Sequence, residues 1–270
     1  GKRVVRFETG RLAQQANGAA AIYIDEETML FSATTASKQP KDQFDFFPLT
    51  IDVEERMYAA GKIPGGYIKR EGKASENATL SARLTDRPIR PLFPEGYKDD
   101  VQVVITVLSA DQENDPDILG TIAASAALTI SEIPFLGPIG AVRVGLVDDK
   151  FILNPTFEQL ETSDLDLVVS GTADAIMMVE AEATEGSMDL IAAGAIDPTE
   201  EIVAQGLEAA KPFIKELVRA QVELAKLAAK PTADFPVFLP YSDEVYAAVS
   251  KAAETELARV YQIADKQQRQ

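Results

Sequence analysis

Two residue types with distinctive chemistry are missing from this chain of 270 residues, which contains no cysteine and no histidine. Without cysteine it has no disulfide and no thiolate metal site, and we expect a cytoplasmic protein. Without histidine it has no Ser-His-Asp triad, no imidazole acid–base catalysis and no histidine-ligated zinc. Oxygen-ligated Mg2+ or Mn2+ is still compatible with the composition.

Long apolar runs are also lacking. No stretch reaches transmembrane length and no signal peptide is evident, so we expect no contact with a membrane. The length suffices for a large core and one or two domains, and 46% hydrophobic and 26% charged residues are typical of a globular protein. A net charge of -17 argues against indiscriminate binding to nucleic acid, so any such contact must be local.

Positive charge is concentrated in residues 62–90, KIPGGYIKREGKASENATLSARLTDRPIR. This basic stretch has seven Lys and Arg against three Asp and Glu, a net +4 within a chain of -17. A solvated loop followed by an ordinary amphipathic helix would have the same composition. Because so sharp a local reversal of charge attracts anions, we predict that the basic stretch binds a nucleic-acid backbone.

The layout of the basic stretch favours this interpretation. Its glycines and proline predict a loop over 61–72, in which Tyr67 can stack on a base while Lys69 and Arg70 hold phosphate. Ser75 is expected to cap a helix over 76–86, because its hydroxyl can accept from orphan backbone N–H groups.

Two arginines stand near the end of this predicted helix. Arg83 and Arg87 are four residues apart and would project from one side, and a guanidinium is well shaped for phosphate. Pro88 disfavours helix at Arg87, so residues 90–94 are expected to be extended.

Periodicity predicts an α+β fold of two βαβ-like lobes followed by a helical appendage, with a lobe boundary at 135–138 and a linker at 231–236. A break is expected at Pro212, inside a long helical pattern. Strands are predicted over 4–9, 19–25, 29–35, 45–53, 101–109, 139–146, 150–153, 165–170 and 175–182, and further helices over 118–131, 186–193, 198–229 and 241–270.

The helix over 118–131 begins after Asp115, Pro116 and Asp117. Its small residues favour a core helix that presses closely on a sheet. A helix N-terminus can bind phosphate, but two carboxylates at this one would repel a second anion.

Several blocks of this sequence resemble the first ribonuclease-PH-like half of the bacterial polynucleotide phosphorylase family. They are EGKASENATLSARLTDRPIRPLFPEG (71–96), ETGRLAQQANGA (8–19), DFFPLT (45–50), ERMYAAGKIPGG (55–66) and GPIGAVRVG (137–145). The resemblance divides the chain into a ribonuclease-PH-like domain at 1–230, with lobes at about 1–136 and 137–230, a linker at 231–236 and a truncated all-helical domain at 237–270.

This resemblance implies a homotrimeric ring through which single-stranded RNA is threaded. Inorganic phosphate attacks the 3' terminal linkage and releases nucleoside diphosphates, and the reaction is reversible. Mg2+ or Mn2+ would be bound by the second half, which is absent here, as are the family's KH and S1 modules. A larger RNA-degradation complex is a further expected partner.

The catalytic pattern of the active half, Asp-x5-Asp-x-Lys, is incomplete in this chain. Its second Asp matches Asp166, whereas Leu160 and Val168 replace the first Asp and the Lys. Leu cannot ligate a metal and Val cannot neutralise an oxyanion. Asp164 and Asp166 are a weak alternative metal pair, although turn residues at a strand end are the favoured interpretation. The family's Ser/Thr-rich phosphate turn is replaced by residues 115–117, so we predict neither a catalytic residue nor a metal ligand.

The resemblance also places the basic stretch on the RNA path. The family's pore loop matches residues 67–70 and usually has two aromatics and two arginines, a pattern from which Ile68 and Lys69 depart. Arg90 has an alternative structural role, paired with a carboxylate. The predicted RNA-binding residues are Tyr67, Lys69, Arg70, Lys73, Arg83, Arg87 and Arg90.

Two other functions share part of this pattern. A stand-alone, non-catalytic ring subunit of exosome type would have the same features, and it differs only in lacking a second half. A complete small ribonuclease-PH-like enzyme is disfavoured by Leu160 and Val168.

Overall fold

Five strands form the sheet of the first lobe in this computed structural model, which describes residues 3–25, 27–40, 44–67, 69–183 and 186–269. The sheet order is β1-β2-β3-β5-β4, with only β4 and β5 parallel. The predicted strands are confirmed, except that β4 begins after Pro48, which cannot donate to a strand ladder. The strands are β1 (Val5–Thr9), β2 (Gly18–Ile24), β3 (Thr28–Ala36), β4 (Leu49–Glu55) and β5 (Val101–Ser109).

Two helices cover one face of this sheet, α1 (Glu76–Ile89) and α2 (Pro116–Thr129). Small residues let α2 lie close to the strands. A Cβ added to Gly18 of β2 would come within 2.1 Å of the Ala127 carbonyl oxygen. The alanine-rich helix is therefore a core element, as predicted.

The second lobe is built on an antiparallel sheet with the order β7-β6-β8-β9. Because β7 and β8 both run antiparallel to β6, they are parallel to each other on either side of it, and a short helix, α3, connects them. The elements are β6 (Gly140–Val147), β7 (Lys150–Leu153), α3 (Phe157–Glu161), β8 (Asp166–Gly171), β9 (Ile176–Glu182), α4 (Ser187–Ala192) and α5 (Glu200–Ala228).

The layers stack in the order first sheet, α1 and α2, second sheet, α5. Residues of α2 pack against β2 and β3 on one side and against β6 on the other. The buried side of α5 contacts β6 and β8. This arrangement confirms the α+β class and places the two lobes face to face across α1 and α2.

Two helices continue through prolines at which the sequence predicts an end or a break. The hydroxyl of Ser75 caps α1 as expected, accepting from the Ala78 N–H at 2.9 Å. The predicted end at residue 86 is wrong, because α1 continues to Ile89, and residues 90–92 form a 3-10 turn where an extended segment was expected. Pro88 and Ile89 are buried, so packing offsets the hydrogen bond that the proline cannot donate.

The predicted break at Pro212 is also absent, because α5 runs unbroken through it. Gly206, Ala210, Ile214 and Val218 are buried along one side of this helix. Contacts made on both sides of the proline therefore hold the helix together.

The segment after α5 lies against the first lobe. Lys230 donates its N–H to the Ile130 carbonyl at 3.1 Å, and Phe238 donates to Gly96 at 2.9 Å. The predicted linker at 231–236 thus belongs to a segment that contains no helix or strand and is held against the first lobe by backbone hydrogen bonds. It leads to α6 (Asp243–Tyr261), which has no buried residue, and α7 (Lys266–Arg269). None of the helices within the described ranges combines the length and apolar composition that a bilayer crossing requires.

Candidate nucleic-acid interface

A cleft of about 680 Å³ opens between the two lobes. Helix α1 and the start of α2 line it from the first lobe, and β6, β8 and β9 line it from the second. Carboxylates outnumber arginines in its wall, so the cleft is net negative. The charged lining residues are Arg83, Arg87 and Arg143, with Glu55, Asp115, Asp117, Asp166, Glu180 and Glu182.

The floor of the cleft is organised around Arg143, on β6. Its guanidinium donates to the carboxylates of Asp117 at 2.5 Å and Asp115 at 3.3 Å, and it also bonds Asp166. Only 12% of the Arg143 side chain is exposed. Two of these carboxylates come from the start of α2 and the third from β8, so one guanidinium joins both lobes.

Three acids share the single positive charge of Arg143, and two of them, Asp117 and Asp166, have raised pKa values. Burial and the neighbouring Asp115 raise the pKa of Asp117 to about 7, although Arg143 acts in the opposite direction. Burial likewise raises the pKa of Asp166. Burial opposes the charge of Arg143, but the three carboxylates raise its pKa overall. A cluster with this balance disfavours any further anion.

The two arginines predicted from their spacing on α1 do meet at the cleft wall. Arg83 and Arg87 both line the cleft, as side chains four residues apart on one helix face should. Arg87 forms an ion pair with Glu180 of β9, and both side chains are about half exposed. Arg83 has no ionic partner among the residues that the structure describes.

Arg90 faces another direction. Its guanidinium bonds the Asp86 carboxylate at 2.8 Å and the carbonyls of Phe47 and Leu49, each at 3.1 Å. These contacts tie the end of α1 to the start of β4. The geometry matches the structural alternative for Arg90, and this side chain does not line the cleft.

The remaining predicted RNA-binding residues lie in the loop before α1. Tyr67, Lys69, Arg70 and Lys73 are all exposed, and Tyr67 is completely so. Ile68 lies outside the described residues. None of the four lines the cleft. An α-helix rises about 1.5 Å per residue, so Arg83 stands about 12 Å along α1 from its cap at Ser75. The structure therefore divides the basic stretch into an exposed loop and a cleft wall.

An ion pair anchors the loop. Arg56 bonds the Glu71 carboxylate at 2.7 Å, and the other oxygen of Glu71 accepts the Met57 N–H at 2.9 Å. These two contacts lower the pKa of Glu71. The acid within the loop is thus neutralised locally, which leaves the loop cations unpaired by it.

Two of the residues that match the catalytic pattern lie in the cleft and one lies outside it. Asp166 and Val168 line the cleft, whereas Leu160 lies in α3 and does not. Asp166 is engaged with Arg143, and Asp164 is buried just before β8. Within the described ranges no group of three or more acidic side chains is arranged to hold a metal ion. The residues present do not fit the divalent metal of the active half.

Sequence reasoning missed Arg143 and Glu180 as parts of the cleft. A signal for Arg143 exists, since a charged residue inside an otherwise apolar strand needs buried partners. Glu180 has no such signal, because only the approach of β9 to α1 brings it to Arg87, 93 residues away in sequence.

Known proteins share both this sequence and this fold. Residues 1–134 match the 3' exoribonuclease family, domain 1, and residues 137–212 match domain 2 of the same family. The chain is 58% identical over 274 residues to a polyribonucleotide nucleotidyltransferase of Nocardioides sp. and 57% identical over 286 residues to that of Leifsonia xyli. Both alignments cover 100% of this chain but only 37% and 38% of the relatives.

A solved structure agrees on the fold. A chain of the Archaeoglobus fulgidus exosome with RNA bound to the active site superposes with a TM-score of 0.59 at 19% identity, covering 81% of this chain and 88% of that one. The two lobes described above correspond to the two matched domains, in the same order. The chain therefore belongs to the 3' exoribonuclease family.

Proposed function

We propose that this chain is the RNA-guiding, non-catalytic half of a phosphorolytic 3'–5' exoribonuclease, a polyribonucleotide nucleotidyltransferase. The complete protein would degrade single-stranded RNA with inorganic phosphate to nucleoside diphosphates, reversibly. One observation carries the proposal: arginines stand at the wall of a cleft whose floor is anionic and holds Val168 in place of the lysine.

The arginines support RNA binding. Arg83 is unpaired within the described residues, and Arg87 is held only by an exposed ion pair, which a phosphate can displace at small cost. The exposed Tyr67 can stack on a base beside Lys69 and Arg70. In the exosome structure that shares this fold, RNA is bound to the active site.

The floor of the cleft argues against phosphorolysis. An attacking phosphate needs positive charge to offset the charge that develops during the reaction. Among the described residues, the one cation on the floor is Arg143, and it is already bonded to three carboxylates. We therefore assign the Mg2+ or Mn2+ and the phosphate to another part of the longer protein.

The proposed function also implies an assembly, a cellular location and a division into domains. We propose a homotrimeric ring in the cytoplasm, with an RNA-degradation complex as a further partner. We also keep the division into a ribonuclease-PH-like domain at 1–230, a connection at 231–236 and the start of a helical domain at 237–270. No residue of α6 is buried, which supports the last boundary.

A second candidate is a stand-alone, non-catalytic ring subunit of exosome type. The fold shared with a chain of the exosome motivates this candidate. The coding frame separates the two candidates. Continuation into a second half with a complete Asp-x5-Asp-x-Lys pattern supports the first, and its absence supports the second.

A phosphorolysis assay tests the catalytic part of the proposal. The chain is incubated with oligo(A), inorganic phosphate and Mg2+, and ADP is measured, while fluorescence anisotropy follows oligo(A) binding in the same buffer. We expect binding without ADP release. Robust ADP release would contradict the non-catalytic assignment, and absence of binding would contradict the guiding role.

A further inference from the structure

Phe157 is an aromatic residue in the wall of the cleft between the lobes. It is the first residue of α3, and 43% of it is exposed. Within the described ranges it belongs to none of the hydrophobic cores, no other ring stacks on it and no cation lies over its face. A single exposed apolar residue is ordinary on a globular protein, so the surroundings of Phe157 must decide its role.

The backbone at Phe157 is held from two directions. Its N–H donates to the Glu113 carbonyl at 2.9 Å, in the loop before α2. Thr156 and Gln159 form a capping box, in which the Gln159 N–H donates to the Thr156 hydroxyl at 3.3 Å and the Gln159 side chain accepts the Thr156 N–H at 3.0 Å. The ring therefore stands on a fixed backbone, which lowers the entropy cost of binding to it.

On the first lobe, α1 presents an apolar side chain beside the cleft arginines. Leu80, Arg83 and Arg87 are at positions i, i+3 and i+7 of one helix, and all three line the cleft. Leu80 is 55% exposed and, among the described residues, belongs to none of the hydrophobic cores. The cleft wall thus combines guanidinium groups with two apolar side chains that are not needed for packing.

A nucleotide combines the same two kinds of group, an anionic phosphate and a flat base with apolar faces. We propose that Phe157 stacks on one base of the RNA strand whose phosphates Arg83 and Arg87 bind. The inference rests on the proposed function, to which it adds a residue that binds the base. Stacking tolerates any sequence because every base has a π-face, which suits an enzyme that must accept each base in turn.

The anionic floor of the cleft is compatible with a base but not with a phosphate. The carboxylates bonded to Arg143 repel an anion, which confines the phosphates to the arginines of the wall. A base is uncharged, and the amino groups of adenine, cytosine and guanine can donate to carboxylates. Phe157 lies at this end of the cleft, since its bond to Glu113 ties it two residues from Asp115 of the floor.

A comparison of oligo(A) with an abasic ribose-phosphate oligomer of the same length tests the inference. The two carry the same phosphates, and fluorescence anisotropy measures the affinity of each. We expect Phe157→Ala to lower the affinity for oligo(A) about fivefold or more, because the stack on one base is lost, and to leave the affinity for the abasic oligomer unchanged. Phe157→Tyr keeps an aromatic ring and should retain the affinity of the unmodified chain.

Phe213→Ala is the matched control. Phe213 lies on α5, is 44% exposed and does not line the cleft, so its removal should change neither affinity. Phe157→Ala removes no phosphate contact, so the slope of oligo(A) affinity against salt should stay as it is in the unmodified chain. Circular dichroism and urea unfolding should show an unchanged fold, because Phe157 lies outside the hydrophobic cores.

Equal affinities for oligo(A) in Phe157→Ala and the unmodified chain would overturn the inference. So would an equal loss of affinity for the abasic oligomer, or the same loss in Phe213→Ala. In each of these cases the proposed function stands if Arg83→Ala plus Arg87→Ala still weakens binding. A chain that binds neither oligomer would contradict the proposed function and the inference together.

Discussion

The guanidinium of Arg143, on the second lobe, bonds the carboxylate of Asp117 at the start of α2, on the first. This contact lies at the bottom of the cleft between the lobes, and Asp115 and Asp166 complete it. The cluster therefore joins the two lobes at the floor of the cleft.

Replacing Arg143 by Leu should destabilise the fold by about 3–5 kcal/mol, because three poorly solvated carboxylates would lose their only shared cation. Urea unfolding measures the change. Arg219→Leu is the matched control, since this arginine pairs with Glu216 on the exposed side of α5 and should cost about 0–1 kcal/mol. Equal losses of unfolding free energy in the two variants would show that the cluster does not hold the two lobes together.

The raised pKa of Asp117, about 7, predicts a pH dependence of stability. Between about pH 4 and about pH 7 the folded chain retains a proton that the unfolded chain has released, so the free energy of unfolding falls as pH rises through this window. Asp117→Asn removes this ionisation and should flatten the fall.

Urea unfolding across that window measures the effect, with Asp174→Asn at an exposed position as the control. If the free energy of unfolding changed with pH in the same way for the chain and for Asp117→Asn, the raised pKa of Asp117 would be contradicted.

Arg90→Ala should lower stability rather than RNA affinity. The substitution leaves the carbonyls of Phe47 and Leu49 without their donor and removes the partner of Asp86, for a cost of about 1–3 kcal/mol. Thermal or urea unfolding reports the loss, and oligo(A) binding is measured at a temperature where the variant is folded. A large fall in affinity with unchanged stability would return Arg90 to the RNA path.

Glu180→Gln should strengthen RNA binding. The carboxylate holds Arg87 in an exposed ion pair, and an amide would hold it less, so we expect an affinity for oligo(A) about twofold to fivefold higher. Glu182→Gln neutralises the same charge two residues along β9, also in the cleft wall. An equal gain in both variants would mean that overall charge, and not release of Arg87, controls affinity.

Much of the fold is predictable from local pattern. The β-branched run of β5 and the Asp-Pro-Asp start of α2 specify their elements within a few residues. The errors arise where burial overrides a local bias. Pro88 and Pro212 predict ends or breaks, but neighbouring residues are buried on both sides and the helices continue.

The candidate site is only half predictable. Spacing on one helix is enough to bring Arg83 and Arg87 together, because i and i+4 side chains share a face. The partners of Arg87 and Arg143 come from strands far away in sequence. Which elements meet is decided by the packing of two lobes, and no local pattern contains that information.

The salt dependence of oligo(A) affinity tests the central claim most directly. The chain is compared with Arg83→Ala plus Arg87→Ala, and with the control pair Arg219→Ala plus Arg259→Ala, which removes the same charge from exposed helix positions. We predict weaker binding in the first pair only, with a log–log slope reduced by about 0.7 for each phosphate that is no longer bound. An identical affinity and slope in both double variants would contradict the assignment of the cleft arginines to the RNA path.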